Sequence, residues 1–153
     1  MSWVSITKVT LYDSKVAALV DACDTAALGA GQTNRSAGII QAVVNDIRRK
    51  VASCRRNLVD SDITTIPQGL QNIAVDLIIA RLKGALEMEL TEDERRTVSQ
   101  RERDLNRVAN CEDVVDQPDN PMVAPMEPTV APPSFPTAAT AAPRFFTRTT
   151  QDG

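Results

Sequence analysis

Of nine prolines in the chain, only Pro67 precedes Gln117. Pro118, Pro121, Pro125, Pro128, Pro132, Pro133, Pro136 and Pro143 all follow it. Proline removes a backbone donor and clashes with the preceding helical turn, so regular helix belongs to the first 116 residues. Between the later prolines lie mainly Ala, Thr and Val, with few charges. That composition has too little apolar mass to offset its own ordering entropy. The chain therefore reads as a domain at 1–116 and a Pro/Ala/Thr-rich extended arm at 117–153, either a disordered tail or a segment that becomes ordered against something else.

Four helices are expected before the arm, which makes the fold class mainly α: a small four-helix domain with a long Pro-rich C-terminal arm. The first runs over about 14–28, with Val16, Leu19, Val20, Cys23 and Ala27 at helical spacing, and Gly29-Ala30-Gly31 ends it. The second covers about 36–56 and carries the stripe Ile39, Val43, Ile47, Val51 and Cys54, flanked by Ile40 and Val44. Residues 58–66 read as a loop with a short extended piece. Pro67 then suits the first turn of the third helix, where its missing N–H costs nothing. That helix is apolar nearly all round, from Leu70 through Ile73, Leu77 and Ile78 to Leu82, and is expected to be the most buried one or to pack against a neighbouring subunit. The fourth opens on Thr91-Glu92-Asp93-Glu94, a capping box with an acidic first turn. Its seam of Val98, Leu105, Val108 and Ala109 is thin, so it lies on a surface.

The chain has no histidine, which excludes the usual Ser-His and Cys-His catalytic pairs. Neither a P-loop nor a GxGxxG is present. Cys23, Cys54 and Cys111 are far apart and form no CxxC, so no metal or other cofactor is implied; buried free thiols in a reducing cytoplasm are the expectation. Asp60 with Asp62 sits in a polar loop, and Glu92-Asp93-Glu94 is accounted for by capping. The most apolar stretch, 73–80, is interrupted by Asp76 and is too short for a bilayer, so a soluble, non-enzymatic protein without membrane contact is expected.

Two features point to partners. Arg48, Arg49, Lys50, Arg55 and Arg56 crowd five cations into nine residues. Cations near a helix C-terminus are stabilised by its dipole, and arginine stems cover apolar surface. Five exceed what a cap requires, leaving an acidic partner or a phosphate backbone as the further reading. Aromatics are only 3% of the chain, yet Phe145 and Phe146 are adjacent in the arm, between Arg144 and Arg148. Such a pair suits an anchor filling a pocket on another chain.

From the second helix onward the order of features resembles the head–tail connector (adaptor) proteins of tailed bacteriophages, in particular the Mu-like head–tail joining family. The residues carrying the likeness are Ile39-Ile40-Gln41-Ala42-Val43-Val44-Asn45-Asp46-Ile47 and Ile66-Pro67-Gln68-Gly69-Leu70-Gln71-Asn72-Ile73-Ala74-Val75-Asp76-Leu77-Ile78. Leu90-Thr91-Glu92-Asp93-Glu94-Arg95-Arg96 and Arg103-Asp104-Leu105-Asn106-Arg107-Val108-Ala109 follow. The likeness spans about residues 10–116 and rests on apolar pattern and one helix-opening proline. It implies a virion protein at the head–tail interface, assembled in the host bacterial cytoplasm as a ring of about twelve copies. Its partners would be the portal protein, neighbouring copies and a tail-side neck or tail-terminator protein, with genomic DNA passing through unread. The arm is longer than the resemblance leads one to expect. A different class, a small helical DNA-binding or regulatory protein using the Arg48–Arg56 cluster, is the alternative; the excess of 20 acidic over 17 basic residues opposes it.

Overall fold

The computed structural model describes residues 3–13, 16–26 and 35–122, all in the first of two units into which the chain divides, Met1–Met122. Their element order is β1 (Trp3–Ser5), α1 (Lys8–Asp13), α2 (Ala17–Thr25), α3 (Arg35–Ser53), β2 (Thr65–Pro67), a 3₁₀ turn (Gln68–Leu70), α4 (Gln71–Ala85) and α5 (Glu92–Ala109). The mainly helical class holds. Five helices replace the expected four, because the short α1 precedes the first one read from the sequence. A two-stranded antiparallel sheet is added, pairing Trp3 with Pro67 and Ser5 with Thr65. The Gly29-Ala30-Gly31 terminator lies outside the described residues.

Helix α3 is the spine. Its apolar stripe buries Ile40, Val43, Val44, Ile47 and Val51, and it packs on α4 and α5. Its first turn is fastened to α2: Asp24 accepts hydrogen bonds from the Ser36 backbone N–H and hydroxyl, both at 2.9 Å, and pairs with Lys8. Burial raises the Asp24 pKa, but the Lys8 and Ser36 contacts outweigh it and hold the carboxyl below its ordinary value. The stabilisation is therefore present above the usual carboxylate range and is lost as pH falls through the lowered folded value.

The third sequence-read helix is displaced in two ways. Pro67 does not occupy its first turn. At φ −54° and ψ 134° it ends β2 and opens the 3₁₀ turn, and α4 starts at Gln71. Proline's fixed φ fits helix and extended chain alike, and pairing with Trp3 selects the latter. Second, α4 fully buries fewer residues than α3, namely Ile73, Ala74, Ile78 and Leu82, while Val75, Leu77, Ile79 and Ala80 are half-buried.

Helix α5 begins as expected. The Thr91 hydroxyl accepts from the Glu94 N–H at 3.3 Å, and the Glu94 carboxylate accepts from the Thr91 N–H at 2.9 Å. Glu94 also pairs with Lys83 of α4, and that contact, with the Thr91 bond, holds its carboxyl below the ordinary range. Leu105 and Val108 are buried against the core. Replacing Thr91 with Ala should remove about 1 kcal/mol of stability, seen as a melting midpoint lower by roughly 4 °C with an unchanged helical spectrum.

The first unit runs past the composition break at Gln117. Pro118 is buried, the Met122 N–H reaches the Val59 carbonyl at 2.7 Å, and the Ser61 N–H reaches that of Asn120 at 2.9 Å. These bonds bring 120–122 alongside 59–61 through a single antiparallel bridge, with Asp60 opposite Pro121. Pro121 is tolerated there, since its missing donor faces away from the bridge.

The cysteines differ from expectation. Cys54, at the end of α3, is bonded to Cys111, just beyond α5, 57 positions further along the chain. Only Cys23 is free. Burial pushes its thiol above the ordinary value, so it stays protonated and unreactive.

Candidate interaction site

The basic cluster is split by helical periodicity. Arg48 follows Val44 and Ile47 on the inward face of α3 and is 7% exposed. Its guanidinium donates to the carbonyls of Asp60 at 2.6 Å, Asp62 at 2.7 Å and Thr65 at 2.8 Å. It also lies 5.6 Å from the centroid of the Trp3 ring, whose indole N–H donates to the Asp116 carbonyl at 2.8 Å. Arg48 is thus an internal clamp joining the N-terminal strand, the spine and the 57–65 loop, and is not available to a partner. Its planar fork suits several acceptors at once. Burial lowers its pKa, opposed by Asp60 and Asp62.

The remaining four cations are exposed. Arg49 pairs with Asp46, which also holds Arg81 of α4, and Lys50 donates to the Asn106 side chain of α5 at 2.6 Å. The Arg49 contact lies within α3, whereas Asp46–Arg81 and Lys50–Asn106 bridge α3 to α4 and α5. Arg55 and Arg56 carry no ion pair among the described residues. Arg144, Phe145, Phe146 and Arg148 lie outside the described residues.

The same bridges frame a groove of about 610 Å³ between α3, α4 and α5. Leu77, Ala80, Val98, Leu105 and Ala109 give it an apolar floor. Arg49, Lys50, Arg81, Asp46 and Glu102 form a charged border. Sequence reading missed this feature. Its elements were visible as apolar positions, but that they remain partly uncovered depends on how far apart the three helices sit. Two smaller hollows flank it: one of about 330 Å³ beside Leu70, Ile73 and Val115, the other of about 200 Å³ beside Ile79 and Leu90.

Among the described residues no cluster of three or more His, Cys, Asp or Glu side chains could hold a metal ion, and no helix is long and apolar enough to cross a membrane. The groove thus presents apolar surface bordered by charged groups. The chain matches no family model, no curated protein and no solved structure.

Proposed function

We propose that this chain is a structural subunit of a tailed-phage neck, a connector that assembles into a ring joining the portal to the tail-side proteins and continuing the DNA channel. The observation that carries the reading is α4. A helix apolar on nearly all sides leaves Val75, Leu77, Ile79 and Ala80 half-covered within its own domain, as expected of a face completed by another subunit. A head-to-tail arrangement of such faces closes into a ring when the rotation between copies permits. The Cys54–Cys111 bond adds support, because disulfides persist on virion surfaces and are rare in a reducing cytoplasm. The likeness of the sequence pattern to head–tail connectors supports a location at the phage neck.

Light scattering on the purified full-length chain, alone and mixed with portal protein, tests this. The expected result is a mass several times that of one 16.6 kDa chain, formed alone or on the portal. Leu77→Asp should keep the helical spectrum, because that side chain is half-buried, yet reduce the mass to that of a monomer. A chain that stays monomeric with portal present overturns the reading. Binding of DNA that weakens steeply with added salt would instead favour phosphate contact through Arg49, Lys50, Arg55 and Arg56. The inward turn of Arg48 already removes one member of that set.

A further inference from the structure

We propose that the groove between α3, α4 and α5 receives the Phe145–Phe146 segment of a neighbouring copy's arm, an inference that rests on the ring-forming reading above. The groove floor is aliphatic and shallowly filled, with Leu77 and Ala80 on one side and Val98 and Ala109 on the other. Small residues at two of these four positions leave room for larger side chains from outside. The chain's three phenylalanines are Phe135, Phe145 and Phe146, all in the arm, while the domain core is built from aliphatic residues around Trp3. Large aromatic anchors are thus concentrated on the arm, and an open apolar groove is present on the domain.

The border fits the same occupant. Arg49, Lys50 and Arg81 stand around the floor, where cations meet the faces of aromatic rings favourably. The domain already uses such a contact, Arg48 over Trp3. Glu102 has no ion pair among the described residues and lies at the α5 edge, where it can pair with Arg144 or Arg148 beside the two rings. Reach is ample. From Met122, which leaves along the 57–62 loop, the 22 residues to Arg144 span roughly 65 Å when extended. The contact joins one surface of a copy to a different surface of the next, the heterologous type that builds rings.

The test uses a dye-labelled peptide of residues 140–152 and, as receptor, the full-length chain carrying Phe145→Ala and Phe146→Ala, whose own arm then does not compete. Saturable binding is expected by fluorescence anisotropy. Adding Ser53→Trp or Ala80→Trp, each of which fills the groove, should weaken it at least tenfold with an unchanged circular dichroism spectrum. Ser53 is exposed, so its variant keeps the fold. No binding to the folded receptor, or binding indifferent to both fillings, overturns the proposal. Should it be overturned while the full-length chain still forms a ring or co-purifies with portal, the neck reading stands and the arm serves another partner. If neither assembly occurs, both readings fall.

Discussion

Reducing the Cys54–Cys111 bond is expected to lower the stability of the domain by about 4 kcal/mol, the loop-closure entropy returned to an unfolded chain freed of a 57-residue crosslink. For a domain of this size that corresponds to a melting midpoint lower by roughly 15 °C. The bond ties the end of α3 to the start of the 111–122 segment. Its opening therefore also loosens a segment that supplies the Asp116 carbonyl to Trp3 and the Met122 N–H to Val59. Thermal melts followed by circular dichroism, with and without dithiothreitol, measure the effect, and Cys111→Ser should reproduce it without reductant. A shift below about 1 kcal/mol would mean that the crosslink barely constrains the unfolded chain. Cys23 plays no part, since it is buried and unpaired, so Cys23→Ala serves as the control.

Arg48→Met should be nearly as damaging, at about 3–5 kcal/mol. Methionine fills much of the space but leaves the carbonyls of Asp60, Asp62 and Thr65 without their shared donor. Arg48→Lys should recover only part of the loss, because a single ammonium cannot present the planar fork that reaches three acceptors on one loop. Trp3 is the only tryptophan, so its fluorescence reports on this site directly during urea unfolding. The expected trace is an earlier midpoint and an altered native emission. If Arg48→Met unfolds at the parental urea concentration, water has replaced the guanidinium and the clamp is dispensable. That outcome would return Arg48 to the pool of residues kept for a partner.

The two expectations concern features that reading along the chain assigned differently, and the difference has one cause. Short-range signals were legible. Thr91 and Glu94 are three residues apart, and their reciprocal capping depends on backbone geometry that any helix start provides. The stripe from Ile40 to Val51 needs only the helical repeat, and the thin seam of α5 placed that helix on the surface for the same reason. Absence of histidine removed the usual Ser-His and Cys-His pairs, and the last helix among the described residues ends at Ala109, ahead of the proline break.

What the sequence left undetermined involves residues that meet only after the chain has folded back. Cys54 and Cys111 lie far apart along it, and nothing in their flanks marks them as partners. Trp3 and Asp116 are joined across 113 positions, so the first strand, α1 and the fastening of the 117–122 segment carried no local signature. Pro67 has a φ that suits either a helix or a strand, and only its pairing with Trp3 decided between them. Charge composition identified Arg48–Arg56 as a cluster. The helical repeat sets Arg48 beside Val44, Ile47 and Val51, but only the folding back of the 57–65 loop supplies the three carbonyls that occupy it, while Arg55 and Arg56, beyond α3, remain exposed. Likewise the apolar surplus of α4 was plain from its residues, but its half-covered face, and hence the groove, follows from the separation of three helices. That separation is set by side-chain packing and crosslinks between distant segments, information that periodicity along a single helix does not contain.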